Sequence, residues 1–202
     1  MVMNINLKLF YKILSVLIII SLGTINSSCQ TQNSNNDNKS FCKLLSRYSL
    51  NDDGKVIIID KGSRMLKMLE KGKQKKSFEI TIGEEAGNKA KSGDNRTPEG
   101  VFLVQKVHNS SAWIYFPEMD TTNPIVGAYG PWFVRLKVPG FKGIGIHGFY
   151  HDEDLGGRAS RGCIRVNNKH LQEVVDFVEI GMPVLIIPGE DDIKVNKAEL
   201  NF

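Results

Sequence analysis

Two short segments carry residue types that can do chemistry together. Ile146-His147-Gly148 is followed, after a loop, by Ser160-Arg161-Gly162-Cys163-Ile164-Arg165. A cysteine attacks as its thiolate, and a histidine is well suited to take the thiol proton near neutral pH. Main-chain N–H groups beside the sulfur can hold the oxyanion of an attacked carbonyl. A glycine directly before the cysteine lets that carbonyl come close. An arginine two residues on can grip a carboxylate bidentately. A lone cysteine is most often a small buried hydrophobe, but Arg161, Gly162 and Arg165 make a poor core and a good electropositive loop. The chemistry implied is acyl transfer through a thioester.

Such a pair needs a rigid frame, and the surrounding pattern is that of strands. Val56–Asp60 is β-branched and bounded by turn signals at Asp52-Asp53-Gly54 and Lys61-Gly62. Arg64–Leu69 is a second run, and Ser77–Gly83 alternates Phe78, Ile80 and Ile82 on one face. The three together read as a β-meander. Residues 84–100 are loop, and Val101–Val107 is a further strand. Trp113–Gly130 mixes aromatics with Pro and Gly as a long flap would. Trp132–Val138 and Gly143–Phe149 carry the chain to His147. One helix follows Cys163: Leu171, Val174, Val175 and Val178 share a face, and Gly181 and Pro183 stop it. A last strand spans Val184–Ile187. The fold class expected is mainly β with one helix after the cysteine.

The chain has 202 residues, 41% hydrophobic and 24% charged, which suits one domain with appendages. Its net charge is +4, of which Lys8 and Lys12 supply two, and the remainder is too small for a nucleic-acid binder held by phosphates. Basic Lys8 and Lys12 precede the apolar run Ile13–Leu22, which has the length of a secretory signal rather than of a bilayer span. Ser27-Ser28-Cys29 resembles a bacterial lipobox, with Asn26 where leucine is usual. The division expected is a lipoprotein-type signal peptide over 1–28, a polar tether and lead-in over 29–55, a catalytic domain over 56–188 and a charged peripheral tail over 189–202. Cys29 is then lipidated and ties the protein to a membrane in the periplasm or cell envelope. Three cysteines build no disulfide framework. Because a bridge to Cys163 would disable the site, Cys42 is expected as a free thiol.

The order His-Gly, loop, Ser-x-Gly-Cys-x-Arg resembles the catalytic domain of the L,D-transpeptidases, the YkuD-type peptidoglycan enzymes. The resemblance covers about Val56 to Pro188 and includes the Gly-Asp-x-Arg-Thr-Pro-Glu-Gly segment at Gly93–Gly100. Many members carry His where Arg161 stands. The resemblance implies a β-sandwich or barrel-like body, Cys163 as nucleophile and His147 as general base and acid. It implies that the Gly148 carbonyl orients the imidazole, and that amides around Gly162 and Cys163 form an oxyanion hole. Ser160 supports the loop, while Arg165, with Arg161 beside it, orders the site or binds substrate. The implied reaction joins Cys163 to a tetrapeptide stem, releases D-alanine, and passes the acyl group to an amine. That amine gives a 3→3 cross-link, protein anchoring or D-amino acid exchange, and water gives a carboxypeptidase. Further implications are carbapenem-type inhibitors, no metal or organic cofactor, and a monomer at work in cell-wall biogenesis. Thr97-Pro98-Glu99-Gly100 is expected to be a structural turn.

Other residues are assigned blander roles. His151 lies four after His147, but Gly148 argues against the helix that a zinc pair would need. Asp152-Glu153-Asp154 reads as a solvated loop face, with attraction of the amine acceptor as the sharper alternative. His108 and His170 read as surface positions, and the lysines between Lys67 and Lys76 as hairpin charge. Trp113, Tyr115, Phe116, Tyr129 and Trp132 read as core or flap packing, with a grip on substrate as the alternative. Two competing classes are a sortase-like cysteine transpeptidase and a non-catalytic peptidoglycan-binding lipoprotein. Sortases separate His from Cys by much more chain, and NlpC/P60 peptidases place the Cys before the His.

Overall fold

The computed structural model describes residues 36–117, 122–150 and 155–200. The expected signal peptide and lipidated Cys29, and the loop residues His151 and Asp152-Glu153-Asp154, lie outside the described residues. The meander forms as its patterning requires: β1 (Lys55–Asp60), β2 (Met65–Glu70) and β3 (Lys73–Gly83) pair antiparallel in succession. Next come β4 (Gly100–Asn109), the small hairpin β5 (Ile114–Tyr115) and β6 (Ile125–Val126), and β7 (Trp132–Lys137). Then β8 (Gly145–His147), β9 (Arg158–Ser160), β10 (Ile164–Val166) and β11 (Pro183–Ile187) complete the strands.

The strands run β10-β8-β7-β4-β11-β1-β2-β3-β9, and β10 also pairs β3, so the sheet closes into a barrel. The closing strand is the one that follows Cys163. Inside lie Ile57, Ile59, Leu66, Ile80, Val134, Ile146, Ile164 and Val184, all fully buried. Each such side chain contributes about 1.5–3 kcal/mol relative to exposure.

Val56–Ile59 is apolar at every position rather than alternately, which means both faces are covered. Its outer face, Val56 and Ile58 with Leu69 and Leu185, packs beneath α1 (Asn36–Arg47). Phe41, Leu44, Leu45 and Tyr48 recur at helical spacing and supply that cover. The stretch 29–55 is therefore not a tether throughout. From Asn36 it is helix, and Leu45 is fully buried. Cys42 on this helix is disulfide-bonded and not the free thiol expected, while Cys163 is the free cysteine among the described residues.

The helix after Cys163 is α2 (Asn168–Phe177), begun by Asn167, whose side chain accepts the Lys169 N–H. The final segment is likewise more than a charged tail. α3 (Glu190–Glu199) docks through Asp192, which is fully buried. Asp192 meets Lys61 at 2.9 Å and Arg158 at 2.9 Å, and Lys61 also pairs with Glu99 at 2.6 Å. Lys61 donates further to the carbonyls of Gly87 and Thr97. Thr97 Oγ1 accepts the Gly83 N–H at 2.8 Å, so the Thr97–Gly100 segment is structural, as its sequence suggested.

Candidate active site

Parallel pairing of β8 with β10 sets the site. Ile146 lies level with Ile164, and His147 with Arg165. Side chains alternate along a strand: the two isoleucines enter the core, which leaves His147, Cys163 and Arg165 to share the other side. All three line one cleft of about 440 Å³, together with Gly143, Tyr129, Tyr115, Arg161, Lys142 and Lys89.

His147 is nearly buried, and its Nδ1 lies 2.5 Å from the Gly148 carbonyl oxygen. A carbonyl only accepts, so Nδ1 carries the proton and Nε2 is the basic nitrogen. The ring stacks on Phe133 at 5.2 Å and meets the edge of Tyr129 at 5.2 Å. Burial lowers its pKa to about 4, Arg165 depresses it further, and the Gly148 carbonyl opposes both. Burial likewise raises the pKa of Cys163, against a hydrogen bond from the Gly145 amide and the nearby charge of Arg165. The thiol donates to the Gly143 carbonyl at 3.2 Å. The resting pair is thus neutral thiol and neutral imidazole.

The loop before the sulfur is pinned by Ser160. Its hydroxyl donates to the Cys163 carbonyl at 2.5 Å and accepts the Gly162 N–H at 3.1 Å. The Gly162 amide, one expected oxyanion donor, is therefore already spent on Ser160. Gly162 itself has φ +118°, and a Cβ there would stand 2.7 Å from the Arg96 carbonyl oxygen, so glycine is required for shape. Arg161 extends into the cleft with its guanidinium over the Tyr115 ring, 5.8 Å from the centroid.

Two parts of the site escaped sequence reasoning. Asn168, visible only as a helix start, grips the main chain of Phe149: Nδ2 donates to its carbonyl at 2.8 Å, and Oδ1 accepts its N–H at 3.2 Å. A Cβ on Gly148 would fall 1.8 Å from that Oδ1, so Gly148 is the residue that admits the clamp. Asn168 thereby steadies the carbonyl that orients His147. The second part is the cleft wall at 89–96. Asp94 accepts from the amides of Ala90, Lys91 and Arg96 and pairs with Lys89 at 2.7 Å. Burial works against its charged form, but these four donors prevail and hold its carboxyl far below the usual range. His108 receives a hydrogen bond from Arg135, and His170 stacks on Phe78, so neither belongs to the site.

Cys163, immediately before β10, and His147, on the neighbouring β8 of a closed barrel, thus face one cleft, with a backbone carbonyl holding the imidazole. Residues 54–186 match the L,D-transpeptidase catalytic domain family (YkuD), and the chain belongs to that family. A Bacillus licheniformis protein provisionally named L,D-transpeptidase YkuD is 26% identical over 132 residues, 65% of this chain and 65% of its own length. Among solved structures, an L,D-transpeptidase from Mycobacterium smegmatis shares the fold at TM-score 0.51 and 17% identity, over 66% of this chain and 58% of that one. The Ldtfm-avibactam carbamoyl enzyme does so at TM-score 0.50 and 22% identity, over 67% and 49%. The chain thus spans less than two thirds of the length of each of these relatives.

Proposed function

We propose that the chain is a peptidoglycan L,D-transpeptidase whose nucleophile is Cys163. The observation that carries this reading is that Cys163, directly before β10, and His147, on the neighbouring β8, face one cleft, with the imidazole fixed by Gly148. Nε2 of His147 takes the thiol proton as sulfur attacks the carbonyl of a tetrapeptide stem, and returns it to the departing D-alanine amine. The thioester that remains is attacked by an amine, which gives a cross-link, an anchored protein or an exchanged D-amino acid, or by water. Because Ser160 occupies the Gly162 amide, the Cys163 amide and the cationic edge of the cleft are left to stabilise the oxyanion.

The disulfide at Cys42 supports an oxidising compartment, in keeping with export to the periplasm or cell envelope. A lipid at Cys29 would be attached to its sulfur as a thioether, and the mass of the amino-terminal peptide from membranes tests for it. The activity is tested by incubating the purified protein with disaccharide-tetrapeptide and identifying products by mass. Release of D-alanine with a thioester adduct is expected, and Cys163→Ala abolishes both. A carbapenem should form an adduct on the same residue. Release of D-alanine by Cys163→Ala would overturn the assignment.

A further inference from the structure

The charges lining the cleft are unevenly committed. Lys89 is held by Asp94 at 2.7 Å and lies 5.3 Å from the centroid of the Phe141 ring, so its charge is answered locally. Glu84 accepts from the Asn95 side chain. Arg161 and Lys142 line the same cleft, and neither meets a carboxylate among the described residues. Arg161 is exposed, stands two residues before the nucleophile, and packs its guanidinium over Tyr115. A guanidinium held by its flat face keeps its in-plane N–H donors for a ligand.

We infer that Arg161, with Lys142, forms an anion subsite that selects amine acceptors bearing a carboxylate on the amine-bearing carbon, over plain alkylammonium groups such as a lysine side chain. This deepens the thioester reading above and rests on it. The zwitterionic acceptor places its carboxylate on Arg161, which brings the adjacent amine to the acyl group on Cys163. The positive rim also disfavours an ammonium and so favours the free, attacking amine. The step balances without any further reagent: the amine nitrogen bonds the acyl carbon, the carbon–sulfur bond breaks, and the amine proton passes through His147 to the leaving sulfur. A lysine ε-amine undergoes the same step but has no carboxylate on its amine-bearing carbon to anchor it. The selected chemistry is shared by a free D-amino acid and by the D-centre of a stem diamino acid.

The test starts from acyl-enzyme made with tetrapeptide. It is offered equal concentrations of D-methionine, D-methioninamide and Nα-acetyl-lysine, and in a separate arm a tripeptide stem with a free diamino-acid D-centre. Transfer products are counted by mass spectrometry, and each ratio is taken within one variant, so differences in acylation cancel. Wild type should favour D-methionine over its amide by about tenfold or more, the worth of a charge-assisted hydrogen bond. Arg161→Gln should bring that ratio to within about twofold, and Arg161→Lys should restore part of it. Lys142→Gln, a second variant read against its own melting curve, should lower it less. The tripeptide arm shows whether the subsite serves free amino acids, stems or both, and transfer to either above the amide supports it. A wild-type ratio near one, or a ratio unchanged in Arg161→Gln, overturns the subsite while leaving the thioester chemistry standing. Absence of any acyl-enzyme overturns that chemistry and the subsite with it.

Discussion

Both the Cys163–His147 pair and the Lys61 cluster take titratable groups at least partly out of water, and they resolve the cost in opposite ways. At Lys61, a fully buried ammonium faces Glu99 and Asp192, and Arg158 closes on Asp192 from the other side. Burial alone would raise the Asp192 pKa, but the bonds from Lys61 and from the amides of Gly189 and Gly87 bring it below the ordinary value. At Cys163 and His147 no opposite charge is supplied. His147 falls to about 4, Cys163 rises, and both stay neutral. Paired charges fix their protons and serve as joints. An uncharged thiol and imidazole, hydrogen-bonded to main-chain carbonyls, are not fixed by any counter-charge.

The largest expected effect breaks the joint. Asp192→Ala leaves a buried ammonium short of one partner and should cost about 3–5 kcal/mol in urea denaturation. The apolar double variant Lys61→Met/Asp192→Leu should cost much less. A double variant as unstable as the single one would mean that packing, and not unanswered charge, decides.

A smaller effect is expected where the joint is neutral. Asn168→Ala frees the Phe149 backbone and the Gly148 carbonyl, and should slow acylation about 100-fold by misplacing the imidazole. Asn168→Asp keeps the acceptor, loses the donor, and should fall between. Equal rates in all three proteins would remove Asn168 from the positioning of His147.

The pH profile of acylation separates the two regions again. The imidazole acts as base only when neutral, so the rate should hold level from about pH 5 to 8. Below about 4, where His147 protonates, it should drop about tenfold per unit. An inflection near 6.5 would mean that the ring is solvated in the working enzyme. Asp192 adds a stability term of the same direction. Its folded pKa lies below the unfolded value, so its contribution is present above the unfolded pKa and lost as acid titrates the folded carboxylate. The smallest effect belongs to the surface: Lys55→Ala, which removes the 2.7 Å pair with Glu179, should leave the urea midpoint unchanged.

The strands, His147, Cys163 and the helix after it were legible because apolar alternation and a short motif encode them locally. α1 carried its signal in Phe41, Leu44, Leu45 and Tyr48, but the polar run before it dominated the reading. α3 was illegible to hydrophobic periodicity, since ion pairs anchor it rather than an apolar stripe. Lys61 sits in a Lys-Gly pair that reads as a turn, and its partners are 38 residues away at Glu99 and still farther at Asp192. The Asn168 clamp joins residues 19 apart, a relation that only the folded chain creates.

The strand that closes the barrel begins directly after Cys163, and it is held between β8 and β3. A chain in which β10 has not paired lacks the register that sets Arg165 level with His147, two residues on from Cys163. Closing the ring through β10 and β3 joins segments far apart in sequence, which costs loop-closure entropy. The cleft around Cys163 therefore depends on both pairings of β10. A half-folded chain carries the thiol without the cleft that surrounds it, so formation of an acyl adduct on Cys163 would double as a readout of completed folding.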